Sequence, residues 1–357
     1  MSIVALSALG CVGTSNAPSS SGAAPSPSRG DASSPLRVAA AHTQVKVGVA
    51  VATWFMSDPR YGEVAAREFD SLTAENEMKW YATEPSPGKF TFEAGDRLVD
   101  FAEKHAMRVR GHTLVWHNQL APWVSGLSES ELKTAMLRHV RETTKHWKGR
   151  IPQWDVVNEA IDDSGELRKN SPFSALGAGY LAEAFRAAHE ADPGAALFYN
   201  DYDIEAFDSP KTRGAYELVK TIKESGAPIH GIGFQMHVDP RNWPSSEEMQ
   251  RNFERFAALG LAIELTEIDV PLGEIPGDRA QKLAKQSELA GGVVRACLAV
   301  PACTGMTFWG VTDKHSWLST PEWGPKKGRG PHLPLLFDED YRAKPMHEGV
   351  LSAFAAR

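Results

Sequence analysis

Short apolar runs alternate along most of this chain with longer segments in which apolar residues recur at helical spacing. Eight of these runs have strand length and are rich in β-branched residues. They predict β-strands over residues 45–52, 71–74, 108–114, 153–157, 196–199, 231–235, 262–266 and 304–309. Helical patterns lie between and after the runs, and such an alternation is typical of a parallel sheet in the α/β class.

The clearest helical pattern covers residues 129–147. One stripe of this segment carries Leu132, Ala135, Met136, His139, Val140, Thr143 and Trp147. Ser128 and Glu131 predict a capping box at its start, and Ser245 with Glu248 predicts a second capping box further along the chain. Both helix starts therefore have a sequence signal as well as a periodic face.

Eight strands and eight helices over residues 41–357 predict a single (β/α)8 TIM barrel, with its cleft at the C-terminal ends of the strands. A doubly wound open sheet is the structural alternative. No glycine-rich phosphate-binding sequence follows the first strand, which continues as Ala52-Thr53-Trp54, so a nucleotide-binding sheet is disfavoured. No internal repeat and no second folded domain is evident in residues 41–357.

Polar and aromatic residues cluster directly after the predicted strands. The clusters are Glu75-Asn76-Glu77-Met78-Lys79-Trp80, His112 with Trp116-His117, Asn158-Glu159, Asn200-Asp201-Tyr202, Gln235-Met236-His237, Glu267 with Asp269, and Trp309. In a barrel they all fall on one face, where active sites are built. Two carboxyls across a cleft, here Glu159 and Glu267, can cleave a glycosidic bond as acid and nucleophile. A strand-end salt bridge is the plainer alternative for each glutamate.

Five of these segments together resemble the glycoside hydrolase family 10 endo-β-1,4-xylanases, and the resemblance runs from about residue 41 to the C-terminus. The segments are Glu75-Asn76-Glu77-Met78-Lys79-Trp80, Arg110-Gly111-His112-Thr113-Leu114-Val115-Trp116-His117, Trp154-Asp155-Val156-Val157-Asn158-Glu159, Thr266-Glu267-Ile268-Asp269 and Trp309-Gly310-Val311-Thr312-Asp313-Lys314. Their order and spacing are highly specific. The resemblance implies endo-hydrolysis of β-1,4-xylosidic linkages in xylan by a retaining double displacement, without a cofactor or a metal.

The resemblance assigns the chemistry to two glutamates, with Glu159 as the acid/base and Glu267 as the nucleophile. In a retaining glycosidase the two carboxyls lie about 5–5.5 Å apart. Glu159 must be protonated for the first step, whereas Glu267 must be ionised. A hydrogen bond from His237 would favour the ionised form of Glu267, and Asp269 can orient His237. Asn158 matches a residue that contacts the sugar 2-hydroxyl near the nucleophile.

The resemblance also implies a set of substrate contacts. The positions that match residues holding sugar hydroxyls or framing the catalytic centre are Asn76, Lys79, His112, Trp116, Gln119, Gln235 and His237. Trp309 and Trp317 match indoles on the glycone side, whose bulk would exclude the hydroxymethyl group of glucose and favour a pentose. Tyr202 matches a stacking residue on the aglycone side. An ordinary surface lysine remains the alternative for Lys79, and core packing remains the alternative for Trp317.

Composition and charge narrow the class of partner. The net charge of −7 argues against nucleic acid as a partner, whereas a neutral polymer such as xylan is indifferent to it. Metal binding is the competing interpretation of His112, His117 and His237, but no His-x-His or His-Glu-x-x-His spacing occurs there. We therefore expect a metal-free, cofactor-free monomer that binds xylan and xylo-oligosaccharides.

Residues 1–40 differ in kind from the rest of the chain. An apolar run at residues 3–10 precedes Cys11, and a Ser/Pro/Gly/Ala stretch then continues to about Pro35, which predicts an export signal with a loose lipobox and a disordered tether. No Lys or Arg precedes Arg29, so the basic start of such a signal is missing; a plain disordered tail is the alternative. The predicted location is secreted, extracellular or periplasmic, with Cys11 as a candidate for a lipid anchor to the membrane.

The other two cysteines, Cys297 and Cys303, flank Pro301 and lie six positions apart. A disulfide between them is sterically plausible and would indicate an oxidising compartment, while two buried thiols are the alternative. Many proteins of the resembled family have a disulfide at this place. A non-catalytic xylan-binding surface lipoprotein and a barrel hydrolase acting on other β-linked glycans are the functional alternatives to a xylanase.

Overall fold

The computed structural model describes residues 35–320 and 331–356. Its strands are β1 (Lys46–Val51), β2 (Ser71–Ala74), β3 (Arg108–Trp116), β4 (Gln153–Asn158), β5 (Ala196–Asp201), β6 (Gly231–Phe234), β7 (Ala262–Ile268) and β8 (Cys303–Phe308). Its α-helices are α1 (Leu36–Ala39), α2 (Pro59–Glu68), α3 (Trp80–Thr83), α4 (Glu93–Lys104), α5 (Glu129–His146), α6 (Gly179–Ala191), α7 (Pro210–Glu224), α8 (Ser246–Ala257), α9 (Arg279–Ala299) and α10 (Pro345–Ala355). Short 3-10 helices lie at Thr53–Phe55, Pro122–Gly126, Pro172–Leu176, Leu272–Glu274, Asp313–His315 and Trp317–Ser319.

The strands form a closed parallel barrel. Each strand pairs with the next in sequence, and β1 pairs with β8 to complete the ring. Strands buried on both faces account for the continuous apolar runs in the sequence, because helices cover the outside while side chains fill the inside. The predicted TIM barrel is therefore confirmed, and the open sheet is wrong.

Four of the strands, β3, β4, β5 and β7, extend further toward the cleft than the sequence predicts. Asn158 ends β4, Asp201 ends β5 and Trp116 ends β3, while Glu267 lies inside β7 instead of after it. All but Trp116 are buried. Polar side chains belong at these positions because they face the mouth of the barrel, so the apolar pattern stops before the strand does.

The helix starts follow local capping chemistry. At the start of α5 the Glu131 carboxylate accepts the backbone N–H of Ser128 at 2.9 Å, and the predicted capping box is present. Ser245 caps α8 through the backbone N–H of Glu248 at 3.1 Å. The second capping box is nevertheless incomplete, because the Glu248 carboxylate accepts the backbone N–H of Phe207 instead. That sequence prediction was therefore half right.

The first described helix, α1, lies before the predicted boundary at residue 41 and packs on the barrel. Leu36 is fully buried, and its backbone N–H donates to Glu68 in α2 at 3.1 Å. Residues 1–34, and with them Cys11 and the predicted tether, lie outside the described residues. Within the described part of the chain, no helix combines the length and the apolarity that a bilayer crossing requires.

Candidate active site

A continuous hydrogen-bond network joins Glu159 and Glu267 at the mouth of the barrel. Asn200 in β5 donates from Nδ2 to Glu267 Oε1 and to Asn158 Oδ1, at 2.8 Å each. Asn158 donates from its own Nδ2 to Glu159 Oε1 at 3.1 Å. Gln235, just after β6, donates from Nε2 to Glu159 Oε1 at 3.0 Å and to Asn158 Oδ1 at 3.2 Å. The fold thus brings both glutamates into one cleft.

Gly233 in β6 leaves the space that the Asn200 amide occupies. The two residues pair across β5 and β6, and a Cβ at Gly233 would come within 2.2 Å of Asn200 Oδ1. Thr266 donates from Oγ1 to the same Oδ1 at 2.6 Å. With its oxygen engaged in this way, the amide turns its Nδ2 toward Glu267.

Glu159 lies between an indole and an amide. Trp116 donates from Nε1 to Glu159 Oε2 at 2.8 Å, while the Gln235 amide holds the other carboxyl oxygen. Arg168 donates from Nε to the backbone carbonyl of Glu159 at 3.0 Å. The side chains that donate to this carboxyl, Trp116, Asn158 and Gln235, are all neutral groups.

The backbone is strained at several of the strand ends that form the cleft. Glu159 after β4 has a φ of 54°, Asp203 after β5 a φ of 53°, and Met236 after β6 a φ of 64°. Gln119, on the loop after β3, has a φ of 45°. Such a conformation costs a non-glycine residue about 1–3 kcal/mol and is found mainly at functional sites.

Glu267 is surrounded by donors that favour its charged form. His237 Nε2 lies 3.1 Å from Glu267 Oε2, and His237 Nδ1 lies 2.9 Å from Asp269. Burial opposes ionisation of Glu267, but the hydrogen bonds from His237 and Asn200 and the electrostatic interactions with His112 and His237 outweigh it and lower its pKa to about 2. Burial also opposes charging of His237, yet Asp269 and Glu267 raise its pKa well above its usual value. Glu267 and His237 therefore form an ion pair.

Three predicted sugar-binding side chains form a second network beside Trp116. Lys79 donates from Nζ to Gln119 Oε1 at 2.6 Å and to Asn76 Oδ1 at 3.2 Å, and Gln119 donates from Nε2 to Asn76 Oδ1 at 3.3 Å. Lys79 Nζ lies 5.0 Å from the centre of the Trp116 ring. Lys79 is only 6% exposed, so it is not an ordinary surface lysine.

The comparisons with known proteins agree with this arrangement. The sequence profile of glycosyl hydrolase family 10 matches residues 35–353. Endo-1,4-beta-xylanase B of Thermotoga neapolitana is 43% identical over 88% of this chain and 90% of its own length. The beta-1,4-xylanase of Dictyoglomus thermophilum is 40% identical over 80% of this chain and 82% of its own.

Solved structures show the same fold. Xylanase 10B of Thermotoga maritima superposes with a TM-score of 0.83 at 42% identity, covering 90% of this chain and 98% of that one. Xylanase 10B of Thermotoga petrophila, solved in complex with xylobiose, gives 0.84 at 41% identity, with 91% and 98% coverage. This chain belongs to glycosyl hydrolase family 10.

In this family 10 cleft, His112 contacts a buried ion pair, and Trp309 packs against His112. His112 Nδ1 lies 2.8 Å from Asp155, and Arg110 pairs with the same carboxylate. The Trp309 ring meets the His112 ring edge-on, with centroids 5.3 Å apart. Asp155 and Arg110 are fully buried, so they fix the imidazole of His112 from within the barrel.

The second predicted indole, Trp317, reaches the side of the cleft on which Glu267 and His237 lie. It donates from Nε1 to Asp269 at 3.0 Å, and its ring centroid lies 5.1 Å from that of His237. Asp269 thereby holds both His237 and Trp317. Core packing was the alternative role for Trp317. The hydrogen bond to Asp269 shows instead that the indole is held in place by a polar residue of the cleft.

Tyr202, predicted for the aglycone side, is positioned by charged neighbours. Its hydroxyl donates to Asp163 at 2.8 Å and accepts from Arg168 Nη2 at 3.2 Å. Lys211 Nζ lies 2.8 Å from the centre of the Tyr202 ring and 3.1 Å from Asp201. One face of the ring is therefore covered by Lys211.

Four residues of the site received no role from the sequence, namely Glu75, Arg168, Asn200 and Lys211. Glu75 follows β2, and burial raises its pKa to about 7 despite the charge of nearby Lys79. Its place in the first quoted motif was the only signal for it. Arg168 and Lys211 gave no signal, because they reach the cleft from a loop and from α7.

The predicted disulfide lies away from the cleft. The structure joins Cys297, near the end of α9, to Cys303, the first residue of β8, by a disulfide. This places the disulfide at the N-terminal face of the barrel, opposite the cleft. Among residues 35–320 and 331–356, no group of three or more His, Cys, Asp or Glu side chains is placed to hold a metal ion.

Proposed function

We propose that this family 10 protein is an endo-1,4-β-xylanase that retains anomeric configuration, with Glu267 as nucleophile and Glu159 as acid/base. The observation that carries the proposal is the contrast between the two carboxyls. Glu267 is held ionised by His237 and Asn200, whereas Glu159 is held by the neutral donors of Trp116 and Gln235. The proposal gives the attack to this ionised carboxylate and the proton transfers to Glu159, which the same hydrogen-bond network holds in the cleft.

The reaction proceeds through two displacements. In the first, a carboxylate oxygen of Glu267 attacks the anomeric carbon, the glycosidic C–O bond breaks, and Glu159 gives its proton to the departing oxygen. In the second, Glu159 takes a proton from water while the water oxygen attacks the anomeric carbon and releases Glu267. Two inversions at one carbon give net retention, and Glu159 ends protonated as it began.

The proposed substrates are xylan and xylo-oligosaccharides. Xylobiose bound to the Thermotoga petrophila enzyme supports this class of ligand. Asn76, Lys79 and Gln119 offer polar groups to sugar hydroxyls on the glycone side, where Trp309 and Trp317 restrict the space for a hydroxymethyl group. Tyr202 offers a ring to the sugar on the aglycone side.

Product analysis on three substrates tests the proposal. A xylanase of this kind releases short xylo-oligosaccharides from xylan, cleaves aryl β-xylobioside with retention, and is far slower on carboxymethylcellulose. A non-catalytic xylan-binding protein would bind xylan without releasing products. A hydrolase for other β-linked glycans would prefer carboxymethylcellulose, and either result would overturn the assignment.

We further propose that the protein is exported and acts outside the cytoplasm as a monomer, secreted or held at a membrane through Cys11. The Cys297–Cys303 disulfide supports an oxidising compartment, and the apolar run before Cys11 supports an export signal. Mass spectrometry of protein recovered from membrane and culture fractions tests the anchor. Protein retained in the cytoplasm with an unmodified N-terminus would contradict it.

A further inference from the structure

Trp54 stands out on the surface of the barrel. It is 54% exposed, and only one other large apolar side chain in the described part of the chain, Val38, is exposed to a similar extent. Trp54 lies in the 3-10 helix that follows β1, which places it on the same face as the active site. A large exposed indole on a functional face indicates a contact surface.

The order of strands in the barrel places Trp54 relative to the substrate. β1 lies between β8, which is followed by Trp309 and Trp317, and β2, which is followed by Asn76 and Lys79. Both neighbouring groups belong to the glycone side in the proposed function. Tyr202, on the aglycone side, follows β5, which lies across an eight-stranded ring from β1. A xylan chain that extends beyond the glycone sugars therefore passes the end of β1.

The turn that carries Trp54 is anchored to both neighbouring groups. Thr53 donates from its backbone N–H and from Oγ1 to Glu77 Oε1, at 2.5 and 2.7 Å, and Glu77 Oε2 accepts the backbone N–H of Asn76 at 3.1 Å. On the other side, the Phe55 ring stacks on His315 at 4.0 Å, two positions before Trp317. The indole is thus presented by a fixed backbone, which reduces the entropy lost when a ligand binds.

We infer that Trp54 forms a further glycone subsite, in which the indole stacks on the third sugar ring counted from the scissile bond. The inference rests on the proposed function, since it needs a β-1,4-linked xylose chain in the cleft. The pyranose ring of xylose has an apolar C–H face and no bulky substituent, so it fits a flat, solvent-facing indole. The energetic effect falls on chains with three or more glycone sugars, because shorter ones end before β1.

Two aryl glycosides that differ by one sugar test this. We expect Trp54→Ala to lower kcat/KM for aryl β-xylotrioside about five- to tenfold, equivalent to roughly 1–1.4 kcal/mol. The value for aryl β-xylobioside stays within about twofold of the parent. Trp54→Phe keeps a ring and loses less than about threefold on the trioside. Val38→Ala, an exposed apolar control on α1 at the other face of the barrel, changes neither substrate.

Two results would overturn the subsite alone. Equal losses on both substrates would mean that Trp54 supports the fold of the turn, and an unchanged trioside-to-bioside ratio would mean that the third sugar does not reach it. A parent protein that cleaves neither substrate would instead overturn the proposed function, and the subsite with it.

Discussion

His237 Nε2 lies 3.1 Å from the carboxylate of Glu267 at the mouth of the barrel. This contact makes the nucleophile a stabilising anion of the folded state as well as a reactant. Burial alone would raise the pKa of Glu267, yet the hydrogen bonds and electrostatic interactions with its neighbours lower it to about 2. The ion pair of Glu267 with His237 therefore contributes both to the stability of the fold and to catalysis.

The stability of the protein should therefore depend on pH through Glu267. Its pKa is near 4.5 when unfolded and about 2 when folded, so its stabilising contribution is present above pH 4.5 and is lost as the pH falls toward 2. At full size it is about 3 kcal/mol. We expect urea titrations to show a shallower loss of unfolding free energy from pH 5 to pH 3 in Glu267→Gln than in the parent. Histidine is protonated in both states in that range, so His237 adds no slope. Parallel profiles would contradict the ion pair.

Azide rescue should separate the roles of the two glutamates. Glu267→Ala leaves space for azide on the face that the nucleophile occupied, so rescued turnover gives an α-glycosyl azide. Glu159→Ala is the matched control, because azide then attacks the glycosyl-enzyme and gives the β-product. NMR of the products distinguishes the anomers. A β-azide from Glu267→Ala would mean that Glu267 is the acid/base and Glu159 the nucleophile.

Leaving groups should reveal the proton donor. Glu159→Gln keeps the hydrogen-bonding shape of the side chain but has no proton to give, so we expect kcat/KM on xylan to fall by about 10²–10⁴. A 2,4-dinitrophenyl β-xylobioside needs little protonation and should lose far less. The basic limb of the pH–rate profile should disappear in the same variant. Equal losses on the two substrates would remove Glu159 from this role.

Trp317 should contribute to the preference for xylose over glucose. Trp317→Ala opens the space that a hydroxymethyl group needs, so the ratio of cellobioside to xylobioside turnover should rise roughly ten- to hundredfold, the effect of about 1–3 kcal/mol. The same change removes the hydrogen bond to Asp269 and lowers total activity. Trp317→Phe is the control, since it loses the bond to Asp269 but keeps a ring. A ratio unchanged in Trp317→Ala would place selectivity elsewhere, with Asn76 and Lys79 as the next candidates.

The disulfide should matter for stability and not for turnover. Cys297 and Cys303 enclose a short loop, for which constraint of the unfolded chain predicts a contribution of about 2 kcal/mol. Replacing both cysteines by alanine should lower Tm by a few degrees and leave kcat at 25 °C unchanged, because the disulfide lies opposite the cleft. Calorimetry with parallel rate assays checks both expectations. A fall in kcat without a fall in Tm would be incompatible with this view.

The sequence predicted the barrel because each strand has an apolar run long enough to be recognised. The predicted ends of β4, β5 and β7 came too early. The residues there, Asn158, Asp201 and Glu267, are buried polar residues that depend on partners from other strands. The capping box predicted at Glu248 failed for a related reason, since the backbone of Phe207 competes for its carboxylate. Spacing along one chain does not encode such competition.

The sequence identified Glu159 and Glu267 because each stands in a motif. It identified only some of the groups that surround these two carboxyls. Gln235 and His237 were found because they belong to a polar cluster directly after a predicted strand. Asn200 depends on Gly233 and Thr266 for its orientation, and Lys211 arrives from α7. These relationships arise only when strands and helices are brought together.

The left-handed backbone at Glu159, Asp203 and Met236 also bears on how such an enzyme adapts to heat. Substitutions that relieve the strain of these turns would raise the melting temperature, but they would also displace the acid/base. Few stabilising substitutions on this face are therefore compatible with activity. At the opposite end of the barrel, near α1 and the disulfide, the described non-glycine residue with such a backbone is Ala106, just before β3, and it lies far from the acid/base. Variants that tolerate higher temperatures should therefore accumulate their changes at that end, and the cleft should drift least where its backbone is most strained.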